Sequence, residues 1–195
     1  MSTRNNLVVG LDADDVIFDT SGYLLEHLNE IAELSSDGPS SFKTGIMRGD
    51  MSMPGVKEFL DEHFTPAIRE IPAKPGAKET IDFLRGSGAK ALIITARGEK
   101  AFPGSVEATV SALEKNGIKV DGVVYDCVDK ATDCAQNNVN VFVDDSFKHC
   151  SEVSKRLGIP VIGFLSLVNR HEFEGSDLVK VGDWIELKAE LEKLL

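Results

Sequence analysis

Leu7-Val8-Val9-Gly10-Leu11-Asp12-Ala13-Asp14-Asp15-Val16 is the stretch whose reading decides the fold of this chain. Four of its first five residues are apolar and two are β-branched, which predicts a buried strand. The polarity then changes abruptly. While the backbone stays extended, Asp12 and Asp14 point to the same face. Two like charges that close repel each other and are costly to bury uncompensated. A cation between them removes both problems, and ligands made only of oxygen favour a hard ion such as Mg²⁺. In an open parallel sheet, ligands bind beyond the carboxyl ends of the strands, where this pair falls.

Outward from that strand the texture of the chain changes twice. Thr20 or Ser21 can cap a helix to about Leu34, with Leu24, Leu25, Leu28, Ile31 and Ala32 on one apolar face. Ser35 to Met53 is rich in Ser, Gly and Asp and shows no clear period, and a short helix is expected from Gly55 to Phe64. Pro72 and Pro75 punctuate the chain beyond that helix. Residues 20–72 therefore read as an inserted, mostly helical cap, and 1–19 with 73–195 as the core. From Pro75 onward helices and strands alternate. Helices are expected from Pro75 to about Gly86, Pro103 to Asn116, Lys130 to Gln136, Ser146 to Leu157 and from Asp183. The strands between them are Ala91 to Thr95, Val123 to Tyr125, Val139 to Asp144 and Ile159 to Leu165. That alternation predicts a mostly parallel sheet covered on both faces.

Three strands end in something chemically specific. The first ends at Asp12 and Asp14, the second at Thr95-Ala96-Arg97-Gly98, and Val139 to Val143 ends at Asp144-Asp145-Ser146. Lys130 opens the helix before that last strand. Parallel strands bring their carboxyl ends to one edge, so these groups converge although they are distant in sequence. The chemistry they suit is phosphoryl transfer through aspartate: an in-line attack by a carboxylate gives an aspartyl-phosphate, and catalysis is mainly positioning and electrostatics. Asp12 would attack, and Asp14 would protonate the leaving oxygen and later activate water. Thr95 and Lys130 would hold phosphoryl oxygens, with Ala96 and Arg97 completing the substrate-binding set. Asp144 would complete a magnesium site with Asp12.

In this order, Asp12-x-Asp14-x-Val16, Thr95, Lys130 and Asp144-Asp145 resemble the four motifs of the haloacid dehalogenase (HAD) superfamily of phosphatases, across about Leu7 to Phe164. The resemblance implies a Rossmann-like core, a three-layer α/β/α sandwich, with a helical cap after the first motif. It also implies that Asp14 meets the metal through its backbone carbonyl. More narrowly, Leu11 to Thr20, Ile94 to Gly98 and Val143 to Ser146 are similar to the 5′-nucleotidase and 5′(3′)-deoxyribonucleotidase branch. One departure is Asp15-Val16, where many members have Gly-Thr. It is expected to keep the extended geometry while adding a negative charge.

Composition narrows the partners. A chain of 195 residues with 42% hydrophobic content buries a sizeable core, and a formal net charge of −11 argues against nucleic acid or an anionic membrane as partner. The sequence contains no apolar run of transmembrane length and no signal-peptide core, and Cys127, Cys134 and Cys150 match no zinc spacing, so reduced thiols and a cytoplasmic setting are expected. A small phosphorylated metabolite is the expected partner, a nucleoside monophosphate first and a sugar phosphate second, and a homo-oligomer is compatible with the sequence. Phe18, Phe42, Met47, Arg48 and Met51 could offer a surface on which a base stacks, with cap packing as the plainer alternative. Arg97 can approach the phosphate or sugar. A receiver-type signalling domain uses similar groups, but there the Lys follows the last of these elements, whereas Lys130 precedes Asp144-Asp145. A catalytically silent homologue is a further alternative, although none of the expected reactive groups is missing. The four histidines form no ligand spacing, and Trp184 reads as a packing anchor.

Overall fold

Every residue of the first strand, β1 (Val8–Leu11), is buried, as expected of a strand covered on both faces. The computed structural model describes residues 7–24, 26, 45, 52, 55–166 and 168–195. Most of the expected cap, including Phe42, Met47, Arg48, Met51 and the helix toward Leu34, lies outside the described residues. Residues 20–24 are helical, and α1 (Val56–Ile68) comes next, running past the expected stop at Phe64. Beyond it come α2 (Ala77–Gly86), β2 (Lys90–Ile94), α3 (Ser105–Lys115), β3 (Gly122–Val124), α4 (Lys130–Gln136), β4 (Val141–Asp144) and α5 (Phe147–Leu157). The described chain closes with β5 (Val161–Phe164), a 3-10 helix (Arg170–Phe173), β6 (Val179–Val181) and α6 (Trp184–Glu192).

The six strands form one sheet in the order β3-β2-β1-β4-β5-β6, and every neighbouring pair is parallel. Alternate residues of each strand enter two separate apolar cores. Val9, Leu11, Ile93, Val143 and Ile162 pack with Ile81, Leu84, Ala108, Ala112, Leu187 and Leu191, so α2, α3 and α6 cover one face. Val8, Ile94, Phe142 and Val161 pack with Ala131, Cys134, Cys150 and Val153, so α4 and α5 cover the other. The result is a parallel sheet covered on both faces, as the alternating pattern predicts, and the three-layer α/β/α sandwich that the resemblance implies.

Three local readings need correction. The helix expected from Pro75 starts two residues later, because Gly76 takes a left-handed φ of 86° and acts as its cap. The strand β6 has no counterpart in the sequence reading. Its three residues are too few to show a period, and it forms because β5 leaves an edge to pair with. The chain also does not stay extended through Asp15. Asp15 has φ 54°, and the amides of Ile17 and Phe18 both donate to the Ala13 carbonyl, so the segment after Asp12 turns. Trp184 is the anchor its size suggests: its ring is 1% exposed and its Nε1–H donates to the Val16 carbonyl at 2.8 Å, tying α6 to that turn.

Candidate active site at the carboxyl edge of the sheet

Strand register brings the acidic groups together. Leu11 pairs with Ile93 on one side and Val143 on the other, so the next residue along, Asp12, comes level with Ile94 and Asp144. The Asp12 amide donates to the Val143 carbonyl at 2.9 Å, fixing that alignment one step beyond the strand. Lys130 reaches the same point from below. The Asp129 carboxylate caps α4 by accepting from the Thr132 amide at 3.0 Å, which places Lys130 in the first helical position. Its ammonium is buried, donates to the Asp12 carboxylate and the Ile94 carbonyl, and stands 3.5 Å from Asp144 Oδ2.

One lysine does not balance the acidic charge. One carboxylate oxygen from each of Asp12, Asp144 and Asp145 lies within 4.8 Å of the others. Asp144 Oδ1 accepts from the Ser146 amide at 2.8 Å and lies 3.4 Å from His149 Nδ1, whereas buried Asp144 Oδ2 makes no hydrogen bond. Burial, opposed by Lys130 and reinforced by Asp144, pushes the Asp12 carboxyl up to about 6. Burial and the neighbouring aspartates push Asp145 well above the usual carboxylate range. Asp144 goes the other way: burial opposes its charge, but Lys130 and His149 hold it below its ordinary value. Three acidic side chains converging on one point, one of them with an orphaned buried oxygen, form a donor set that fits a hard divalent cation.

Asp14 is not part of that cluster. Its carboxylate accepts from Arg97 Nε at 3.0 Å and from a terminal guanidinium nitrogen at 2.6 Å, and the Thr20 hydroxyl donates to it at 2.6 Å. Burial disfavours its charge, yet Arg97 and Thr20 together hold its carboxyl below the ordinary carboxylate value. The Asp14 carboxylate is thus engaged by Arg97 and Thr20, while Asp12 groups with Asp144 and Asp145. The extra charge of Asp15 is likewise occupied, accepting from the Ser21 amide at 2.9 Å at the start of the helical residues 20–24.

Thr95 is fully buried at the end of β2, where its hydroxyl accepts from the Arg97 amide at 3.1 Å. Ala96, Arg97 and Lys130 line a cavity of about 520 Å³ above the carboxylates, and Thr95 is not among its lining residues. Leu24, Leu60, Phe64, Phe102, Val128 and Val168 form its apolar side. Phe18, a candidate surface for a base in the sequence, is instead fully buried beneath Arg97. Sequence reasoning misses three residues here. His149 and Asn169 line the cavity, and buried Asn169 donates to the Asp145 carbonyl at 2.6 Å, holding the acidic loop in place. The third is Thr20, which in the sequence reads only as a helix cap. Of the three only Thr20 carries a sequence signal, its closeness to Asp14, since Asn169 reaches the loop from beyond β5. Another hollow, of about 470 Å³, lies at the opposite edge of the sheet between Val8, Lys90 and Asn140 and contains none of these groups.

No protein-family model matches this sequence, and no curated protein matches it either. Solved structures do. A dehalogenase is similar over 100% of this chain and 99% of its own, at 17% identity and a TM-score of 0.65. A putative β-phosphoglucomutase from Thermotoga maritima covers 97% of this chain with 100% of its own, at 20% identity and a TM-score of 0.64. A HAD-superfamily hydrolase of subfamily IA from Geobacter sulfurreducens PCA covers 98% with 100% of its own, at 15% identity and a TM-score of 0.60. The polypeptide of this chain thus takes the fold of the HAD-superfamily hydrolases.

Proposed function

We propose that this protein is a Mg²⁺-dependent HAD-type phosphatase. It hydrolyses a small phosphomonoester through an aspartyl-phosphate, with a nucleoside monophosphate as the first substrate class. The observation that carries this reading is the meeting of Asp12, Asp144 and Asp145 beside a single buried lysine, at the edge where a parallel sheet binds its ligands. Asp12, Asp144 and Asp145 would hold the cation, joined by the Asp14 backbone carbonyl as the sequence resemblance implies. When bound, Mg²⁺ offsets phosphate charge and orients the phosphoryl group.

The chain's own groups account for the remaining steps. An Asp12 carboxylate oxygen forms a bond to phosphorus as the ester P–O bond breaks, and Asp14, which Arg97 and Thr20 hold ionised in the free protein, takes up a proton from solvent with substrate bound and passes it to the departing oxygen. In the second half Asp14 takes a proton from water, the water oxygen attacks phosphorus, and the bond to Asp12 breaks to release phosphate. Lys130 keeps its positive charge throughout. Burial works against that charge, but Asp12 and Asp144 raise its pKa above the ordinary lysine value. Ala96, which lines the cavity, would present its backbone to the phosphoryl oxygens, while buried Thr95 supports that loop from beneath through the Arg97 amide. The apolar wall of Leu60 and Phe64, on the part of the inserted cap that is described, receives the organic part of the substrate.

The likeness to a putative β-phosphoglucomutase favours a sugar phosphate as the second reading. The likeness to a dehalogenase raises halide displacement, but that reaction needs one carboxylate and gives no role to an orphaned Asp144 oxygen. The test is release of phosphate from nucleoside monophosphates, sugar phosphates and small aryl phosphates with and without Mg²⁺, beside halide release from a 2-haloacid. Highest kcat/KM on nucleotides is the expected result. A sugar phosphate ranking first with nucleotides untouched overturns the nucleotidase assignment, and halide release alone overturns the phosphatase one.

A further inference from the structure

Arg97 is 1% exposed, an unusual place for a guanidinium at the floor of a ligand cavity. A residue that reads substrate phosphate would aim its paired N–H groups into that cavity. Here both members of one edge, Nε and a terminal nitrogen, converge on Asp14 at 3.0 and 2.6 Å, the two-point geometry that a guanidinium makes with a carboxylate. The other terminal nitrogen is 3.4 Å from the Thr109 hydroxyl on α3. The guanidinium carbon lies 4.9 Å from the ring centroid of Phe18 and 5.9 Å from that of Phe64, so aromatic surface packs against it. The backbone is fixed as well, since the Arg97 amide donates to Thr95 and its carbonyl accepts from the Asp126 amide at 2.9 Å.

We propose that Arg97 is a positioning residue that acts on Asp14 and not on the substrate phosphate. Two parallel hydrogen bonds, with Thr20 as a third, leave the Asp14 carboxylate no freedom to rotate toward Lys130 or the carboxylate cluster. Asp14 must face the leaving oxygen in one half of the reaction and water in the other, and a misplacement of about 1 Å costs about a hundredfold in rate. Phe64 belongs to α1, so the helix that walls the cavity also packs against the residue that orients Asp14. This inference rests on the phosphatase reading for its catalytic consequence, while the pairing itself does not.

Arg97→Lys keeps the charge but replaces two bonds with a point contact. With p-nitrophenyl phosphate and Mg²⁺, kcat should fall about 30- to 100-fold, while KM and inhibition by inorganic phosphate stay within about twofold. Adding Arg97→Lys to Asp14→Asn should cost nothing further, since a positioning residue has no work once its target is changed. A tenfold rise in KM and in the phosphate inhibition constant with kcat preserved overturns the proposal, as does a full multiplicative loss in the double variant. Arg97→Gln, neutral and of similar reach, gives the same comparison if the lysine variant does not fold. Failure of the phosphatase reading shows in the unsubstituted protein, as no phosphate release at all. The same four proteins are then compared by urea unfolding and by inorganic phosphate binding: non-additive stabilities with unchanged phosphate affinity uphold the pairing, and additive stabilities overturn it.

Discussion

Replacing Lys130 with methionine removes, among the described residues, the one ammonium buried beside three converging carboxylates while nearly keeping its volume. Lys130 is 2% exposed, and Asp12 and Asp144 beside it are buried, so their charges cannot turn to water. Removing one partner of a buried, hydrogen-bonded ion pair costs about 3–5 kcal/mol, because the other charge is left uncompensated. For a chain of this size about 2–4 °C accompanies each kcal/mol, so melting in the presence of a chelator should fall by about 6–20 °C. A divalent cation refills the missing charge. The ammonium stands 3.5 Å from Asp144 Oδ2 and competes with a cation for the same oxygens. Mg²⁺ should therefore raise the melting temperature of Lys130→Met more than that of the unsubstituted protein. At a hundredfold excess over its dissociation constant, the cation alone contributes about 2.7 kcal/mol. Phosphate release should still drop by about 10²–10³ in saturating Mg²⁺, because the group that faces the phosphoryl charge is gone. The assay is differential scanning fluorimetry with and without Mg²⁺, beside initial rates on the preferred ester. An identical melting gap under both conditions would refute the charge argument, and an unchanged rate would remove Lys130 from the site.

Packing and burial set three other outcomes. Trp184→Phe leaves the Val16 carbonyl buried without its 2.8 Å donor and should cost about 1–3 kcal/mol in urea unfolding; no measurable cost would show that α6 does not brace the turn after Asp12. Gly163→Ala places a methyl carbon 2.3 Å from Phe173 Cε1 and should destabilise by about 1–3 kcal/mol, with Phe173→Leu relieving part of it; additive losses would contradict the clash. Burial pushes the Cys127 and Cys134 thiols up to about 12, so at a pH of about 8 almost none is ionised. Both should resist a disulfide reagent in the folded protein and react promptly in denaturant, and rapid labelling of the native chain would overturn this.

The site is legible in sequence wherever a strand delivers it. Asp12, Thr95 and Asp144 each come at the end of a short apolar run, and a parallel sheet sends all such ends to one edge, so their convergence needs no coordinates. Lys130 is legible because it opens the short helix just before the strand that ends at Asp144. What Asp14 touches is not legible. Its partner Arg97 is 83 residues away, and the turn that aims it depends on Asp15 adopting φ 54°, for which an aspartate in an apparent strand continuation gives no sign. His149 and Asn169 escape for a related reason. A histidine one turn into α5 reads as surface until register places Asp144 beneath it, and Asn169 reaches back across β5 from a segment without periodicity. The strand β6 shows the same limit in the fold itself, because three residues take their conformation from the edge they pair with.

The sheet order also sets when the acidic edge comes into being. β1 lies between β2 and β4, and Lys130 comes 118 residues after Asp12. At about 5–20 residues per second, that interval lasts about 6–24 s on a ribosome. Through it, the growing chain carries Asp12 without its lysine and without Asp144. Until then the cluster of Asp12, Asp144 and Asp145 is incomplete. The last central strand, β4, closes the sheet beside β1 and supplies the missing carboxylates in the same event. If the cluster holds the proposed cation, its binding serves as a stopwatch for folding: a pulse of Mn²⁺ given to stalled chains of increasing length should first be retained when residues through Asp145 have emerged.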